Sequence, residues 1–255
     1  MFLENATVDS VTQIGTNVFL LKLLSEKIAN QAKPGQFVNI KVSDSDFPLL
    51  RRPFSICNVE SNSFSVMFIT IGGGTHILQD KQPGETLDVM GPLGNGFSLD
   101  GEYDKAVIIA GGIGAAPFPF LIKELVKSGK EILCFSGGRT KNDCISYEMQ
   151  NVSSATDDGS LGFKGNVVQL LASKIDEIKG ENFKIFGCGP NAMLKALQTF
   201  CIENNFDGEI STESSMACGF GICQGCPVQS ATDENKFLLV CKDGPVFNVK
   251  DVVLP

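Results

Sequence analysis

Apolar and polar positions repeat with two different periods along the chain, and the period changes near residue 100. Before that point, VFLLKLL (18–24), QFVNIKV (36–42), FSVMFITI (64–71) and TLDVMG (86–91) are short apolar or alternating runs. KPG at 33–35, GGG at 72–74 and QPG at 82–84 separate them. Side chains along a strand point to opposite faces in turn, so runs of this kind bounded by glycine and proline read as β-strands. Several of them in succession predict a small barrel or sandwich over residues 1–100. Within it, only THILQDK (75–81) reads as a helical turn.

Beyond GEYD (101–104) the runs become continuous and alternate with helical patterns. AVIIAGG (106–112) has the unbroken apolar character of a strand buried on both faces. FPFLIKELVKSGK (118–130) follows as a helix with Gly129 at its C-cap. EILCFSGG (131–138) and KIFGCG (184–189) read as further strands, and PNAMLKALQTFCIENN (190–205) as a helix with Pro190 at its first position. Strand and helix in alternation predict βαβ units on a Rossmann-like parallel sheet over 101–208. Residues 209–255 fit neither pattern and hold only short strand-like pieces such as FLLVC (237–241). The expected fold is therefore multi-domain, β plus α/β, with a distinct C-terminal segment.

Bulk properties narrow the function. A chain of 255 residues with 43% hydrophobic content can bury a substantial core, and 20% charged residues argue against wholesale disorder. A net charge of −8 disfavours nucleic acid or an anionic membrane as the main partner. No apolar run approaches the roughly 18–20 residues that span a bilayer. MFLENATVDS lacks the basic stretch of a secretory signal, so a cytoplasmic location is expected. Nine cysteines in such a chain are a poor disulfide framework, because cytosolic thiols stay reduced, and metal binding better explains a tight cluster.

Such a cluster lies in MACGFGICQGCPV (216–228). Cys218, Cys223 and Cys226 are spaced C-x4-C-x2-C, and Cys241 follows after fourteen residues. Structural zinc usually takes two short knuckles far apart, whereas this spacing is that of plant-type [2Fe–2S] proteins. Thiolates are soft ligands for either metal. Gly219, Gly221 and Gly225 let the backbone turn tightly and aim N–H groups at sulfur. A zinc site and four unrelated buried cysteines stand as alternatives. Cys57, Cys134 and Cys201 lie in apolar runs and read as small core residues, and Cys144 shows no partner. A two-iron cluster moves single electrons while a nicotinamide delivers a hydride, so a flavin normally stands between them.

Upstream stretches offer sites for both. RRPFS (51–55) combines a guanidinium that can fork onto phosphate, a ring that can lie on a heterocycle and a hydroxyl that can bond a ring nitrogen. GGGTHIL (72–78) is a glycine-rich turn opening a helix, with free N–H groups expected at its start. AGGIGAAP (110–117) follows a strand and begins a helix. Pro117 stands where the third glycine of G-x-G-x-x-G would be, yet Gly112 and Gly114 still allow close approach to a pyrophosphate. The acidic residue expected about 20 residues on, to hold a ribose diol, has no clear candidate. SGGR (136–139) instead puts Arg139 at the end of the next strand, facing either an adenosine phosphate or water. The single histidine, His76, follows Thr75 and reads as a surface or capping residue rather than a catalyst.

Taken in order, RPFS, GGGT, GPLGNGF (91–97), GGIGAAP, CGPNAM (188–193) and the cysteine spacing resemble the ferredoxin-NADP reductase superfamily. Within it they are most similar to the electron-transfer subunits of type B dihydroorotate dehydrogenases. The resemblance covers nearly the whole chain. It implies an FAD-binding β-barrel, an NAD-binding α/β domain and a [2Fe–2S] segment. By motif it carries Arg52, Pro53, Phe54 and Ser55 to the flavin and its phosphates, Gly74 and Thr75 to the FAD pyrophosphate, and Met67, Phe68 and Ile69 to the flavin wall. Gly112, Gly114 and Pro117 become the nicotinamide-nucleotide loop, Cys188, Gly189 and Pro190 its neighbours at the nicotinamide, and Cys218, Cys223, Cys226 and Cys241 the cluster ligands. One departure is visible: superfamily members often carry a basic residue before the GT turn, where this chain has Ile69 and Thr70.

The implied function is transfer of electrons from NADH through FAD and the cluster to an FMN-containing dihydroorotate dehydrogenase catalytic subunit in pyrimidine biosynthesis. No base for oxidising dihydroorotate is evident, so that chemistry belongs to the partner. Phe220 and Ile222, between cluster ligands, are expected to face that partner if they point outward. Two alternatives remain: a stand-alone or hydrogenase-type NAD(P)H:acceptor reductase, and a zinc-stapled nucleotide-binding module without redox activity.

Overall fold

The alternating runs of the N-terminal part close on themselves. The computed structural model describes every residue except Asp44, Asp46 and Pro255. It contains β1 (Phe2–Gly15), β2 (Val18–Leu24), β3 (Phe37–Lys41), β4 (Arg52–Glu60), β5 (Ser63–Ile69) and β6 (Thr86–Leu93). These form a closed antiparallel barrel in the order β1-β2-β5-β4-β3-β6. The barrel-or-sandwich choice is thereby resolved, and closure leaves no edge strand. Leu21, Leu23, Val38, Ile40, Ile56, Val66 and Val89 fill the interior with no exposed surface. α1 (Glu26–Gln31) is capped by Ser25, whose hydroxyl accepts the Ile28 N–H, and α2 (Gly73–Gln79) begins at the triple glycine.

The continuous runs that follow build the second sheet. β7 (Lys105–Gly111), β8 (Glu131–Gly138), β9 (Val152–Thr156), β10 (Phe163–Lys164), β11 (Phe183–Cys188) and β12 (Gly208–Ser211) lie parallel in the order β10-β9-β8-β7-β11-β12. Side chains of β7 alternate between its faces. Ala106, Ile108 and Ala110 pack with Phe118, Leu121 and Leu125 of α3 (Phe118–Lys127). Val107 and Ile109 pack with Leu171 of α4 (Val167–Ile178) and with Leu194 and Leu197 of α5 (Asn191–Glu203). Helices on both faces explain why β7 is apolar throughout. Gly129, at φ +77°, ends the α3 region as expected. Pro190 does not occupy the first helical position: it is the extended N-cap residue, with ψ 147°.

The cysteine-bearing segment is woven into both units. β13 (Pro227–Ser230), β14 (Phe237–Leu239) and β16 (Val252–Val253) form a small sheet in the order β14-β13-β16, while β15 (Val246–Asn248) joins the parallel sheet antiparallel to β12. Cys226, Val240, Cys241, Phe247 and Val252 share one apolar cluster with α4 and α5, and that cluster reaches Met90 and Leu93 of the barrel. No helix among the described residues is long and apolar enough to cross a membrane.

Two adjoining clefts and a cysteine loop

Two clefts open side by side where the barrel meets the carboxyl ends of the parallel strands. The larger, about 620 Å³, runs from Thr16 and Asn17 in the β1–β2 turn to Gly112, Gly114, Arg139, Asp157, Gly189 and Pro190. The smaller, about 250 Å³, is walled by Pro53, Phe54, Ser55, Met67, Phe68, Thr75, Pro117 and Cys188. Ile69, Ile71, Ile113 and Glu213 belong to both walls, so the two spaces adjoin across a common wall. Mostly apolar concavities with a few polar groups, at the carboxyl ends of parallel strands, are where ligands bind in α/β folds. Every motif-derived cofactor residue therefore lines a cleft, except Arg52 and Gly74.

Those two pack against each other nearby. A Cβ on buried Gly74 would sit 3.3 Å from Arg52 Nε, so glycine leaves room for the guanidinium to lie over the turn, and Arg52 Nη1 donates to the Leu50 carbonyl. The turn is less open to a ligand than its sequence implies. The Thr75 hydroxyl accepts the Ile71 and Gly72 N–H groups at 3.0 and 3.2 Å and donates to the Gly72 carbonyl at 3.0 Å. His76 is exposed, with Nδ1 at 2.9 Å from the same carbonyl. Arg51 is fixed by Asp88, Nη2 to Oδ2 at 2.5 Å.

Glycines pin the loops after β7 and β11 to each other. A Cβ on Gly114 would meet the Cys188 carbonyl oxygen at 2.3 Å, and one on Gly189 would meet the Gly111 Cα at 3.0 Å. Gly114 is thus explained by backbone packing as well as by any ligand. Gly112 differs: its φ is +54°, and a Cβ there would meet nothing closer than the Asp143 carbonyl oxygen at 4.0 Å. Burial pushes the Cys188 thiol up to about 12, which keeps it neutral at the seam. Glu213 shows an exposed edge to solvent, yet the cleft walls around it raise its carboxyl above the ordinary range. Arg139 stands at the rim, 3.6 Å from Asp143.

The four motif cysteines assemble as two pairs. The Cys223 N–H points at Cys218 Sγ at 3.4 Å, and Cys226 Sγ lies 3.2 Å from Cys241 Sγ. Positive φ at Gly219, Gly221 and Gln224 (81°, 90° and 58°) wraps the loop around the first pair. Burial would raise the Cys218 thiol, but N–H groups of Cys223, Phe220 and Ile222 outweigh it and hold the group at about 6, favouring thiolate. Burial pushes Cys241 up to about 12. These contacts, one linking Cys218 with Cys223 and one linking Cys226 with Cys241, match the two-by-two use of four cysteines in a two-iron cluster, although among the described residues no three of them are drawn together as a ready-made metal site. Cys57, Cys134 and Cys201 are buried in the cores, as expected of small apolar residues. Cys144 does have a partner, the Ala155 carbonyl at 3.5 Å.

Residues 213–253 match the model of the iron–sulfur cluster binding domain of dihydroorotate dehydrogenase B. The chain is 37% identical to the dihydroorotate dehydrogenase B (NAD(+)) electron transfer subunit of Desulforamulus reducens, over 98% of its own length and 97% of that protein. It is 40% identical to the subunit of the same name from Lysinibacillus sphaericus, over 98% of each. The chain belongs to the family of dihydroorotate dehydrogenase B electron transfer subunits. Among solved structures, the NADH-dependent reduced ferredoxin-NADP oxidoreductase, studied for flavin-based electron bifurcation, superposes with a TM-score of 0.83 at 26% identity. That match covers 98% of this chain and 90% of that one. A Neisseria gonorrhoeae ferredoxin NADP+ reductase shares the fold, with a TM-score of 0.63 at 14% identity over 79% of this chain and 91% of that one. The iron–sulfur match removes the zinc-stapled reading.

Several cleft residues lay outside the motifs. Asn142, Asp157 and Asn166 line the larger cleft, Met216 the smaller, and Glu213 both. Asp157 supplies an acidic side chain that a count from the glycine loop does not find, because it arrives on the next strand but one. Glu213 follows β12 with no local signature.

Proposed function

We propose that the larger cleft takes NADH, the smaller takes the flavin of FAD, and Cys218, Cys223, Cys226 and Cys241 hold a [2Fe–2S] cluster. When bound, these groups supply hydride donation, the change from two-electron to one-electron transfer, and single-electron carriage. The chain's residues arrange them. Phe54 is the partly exposed ring of the wall and Ser55 offers a hydroxyl for a polar edge, with Met67 and Phe68 buried in the wall behind them. Arg52 is near enough to the Gly74 turn to meet phosphate there. Ile69, Ile71 and Ile113 make the shared wall apolar, which excludes water where the two ligands would touch.

The observation carrying this reading is adjacency. The two clefts share Ile69, Ile71, Ile113 and Glu213, and Met216 of the smaller cleft is two residues from Cys218. Donor, relay and exit therefore lie in sequence along one path. The exit is open: Ile222 is 75% and Phe220 39% exposed on the ligand loop, a place for an FMN-containing catalytic subunit. The reduced thiols such a cluster needs suit the cytoplasm. The test is to purify the chain with its catalytic subunit, record flavin and cluster absorption, and follow NADH oxidation coupled to orotate. Full flavin and cluster content with no orotate-linked turnover would favour the stand-alone reductase; absence of flavin and iron would overturn the reading.

A further inference from the structure

Asn39 is 1% exposed on β3, facing outward from the barrel beneath the cysteine loop. Its Nδ2 donates to the Cys218 carbonyl at 3.2 Å. Its direct partner across the β3–β4 ladder is Pro53, a wall residue of the smaller cleft. Directly opposed residues of antiparallel strands project to the same face at close range. One side chain thus joins the strand pair of the smaller cleft to the first residue of the cysteine motif.

Three features show that the contact shapes the site. Gly219 adopts φ +81°, and a Cβ there would lie 2.0 Å from Asn39 Nδ2, so the loop settles on the amide only because residue 219 is glycine. On its other side β3 pairs with β6 through Asn39–Met90, where an irregular register follows Phe37–Leu93. Met90 and Leu93 in turn belong to the apolar cluster that holds Cys226 and Cys241. Finally, Asn39 Oδ1 is buried without a hydrogen-bond partner among the described residues. A half-satisfied buried amide is worse for stability than an apolar side chain of similar size. The amide is kept at this cost, and its one bond goes to Cys218.

We infer that Asn39 is a positioning residue for electron transfer: its bond to the Cys218 carbonyl fixes the ligand loop against the flavin-lining strands. The inference rests on the cofactor assignment proposed above. Loss of a group that orients a ligand typically costs about ten- to a hundredfold in metal affinity or activity, and hydrogen bonds around a cluster help set its potential. Electron exchange also falls steeply with separation, so a loop released from β3 lengthens the very step this residue shortens.

The experiment compares the wild-type complex with Asn39→Leu, co-expressed with the catalytic subunit. Flavin and iron content of the wild type come first, because their absence would defeat the cofactor assignment rather than this inference. In Asn39→Leu the expected result is full FAD, wild-type reduction of the flavin by NADH, and an unfolding temperature unchanged or higher, since the orphan acceptor is gone. Cluster reduction after mixing with NADH should slow at least tenfold in stopped flow, with a shifted EPR signal. Loss of iron at full FAD and unchanged unfolding temperature is the stronger form of the same result. Gly219→Ala pushes the loop off Asn39 from the other side and should reproduce the effect; it also serves if Asn39→Leu does not fold. Wild-type cluster reduction rate and EPR spectrum in a folded variant would overturn the inference.

Discussion

Cys226 Sγ lies 3.2 Å from Cys241 Sγ, although fourteen residues separate them and both are buried. The β13–β14 hairpin makes the meeting: the Val240 N–H bonds the Cys226 carbonyl at 2.9 Å, and the Cys241 N–H points at Cys226 Sγ at 3.4 Å. In the ligand set proposed above, Cys241 would be the fourth member. Cys241→Ser replaces a soft thiolate by a hard hydroxyl. The expected outcome is loss or gross change of the two-iron EPR signal on reduction with FAD retained, and Cys223→Ser should behave alike. An unaltered spectrum in Cys241→Ser would remove it from the ligand set.

Arg52 carries the second prediction. Its guanidinium lies over the Gly74 turn, while Thr75 takes up two amide donors there, so on the reading proposed above Arg52 would be the principal phosphate contact. A charge-assisted bond of this kind contributes about 1.5–3 kcal/mol, or roughly ten- to a hundredfold in affinity. Arg52→Ala should purify largely without flavin and refill only at high FAD. Full occupancy after dialysis, read from visible absorption, would show that the phosphates are held elsewhere.

Gly114→Ala tests the loop packing. The added Cβ would fall 2.3 Å from the Cys188 carbonyl oxygen and 2.5 Å from its carbon, both backbone atoms that cannot swing away. Overpacking of this sort costs about 1–3 kcal/mol, which lowers the unfolding temperature of a chain this size by several degrees. Separation of the two loops should also raise KM for NADH. Calorimetry and steady-state kinetics measure the two effects, and a variant normal in both would contradict the packing.

How much of this is legible in the chain follows from how local each feature is. VFLLKLL and EILCFSGG give strands with the expected limits, because burial on one or two faces writes itself into the run. α4 had a readable start in the Asn166–Gln169 capping box, where Asn166 Oδ1 accepts the Gln169 N–H at 2.9 Å and Gln169 Oε1 accepts the Asn166 N–H at 3.0 Å. β10, two residues long, and β15, three residues long, are strands only because a neighbour is there to pair with them. The four clustered cysteines stand out by spacing alone. Asn39 and Glu213 do not, since each acquires its place from elements far away in sequence.

The last prediction concerns the exit. Phe220 and Ile222 flank the N–H groups that hold the Cys218 thiol low, so the loop's backbone faces the sulfur while these side chains face out. A dry patch beside the ligands suits a subunit that must come close enough to accept electrons. Phe220→Asp leaves the backbone donors in place and puts a charge into that patch. Loss of a central aromatic anchor typically weakens association by about 2 kcal/mol or more, at least tenfold. Gel filtration and titration should therefore show a weaker complex with the catalytic subunit and reduced NADH–orotate turnover. NADH should still reduce the bound FAD at the wild-type rate, because the clefts are untouched. A complex of normal affinity and activity would place the docking surface on another face.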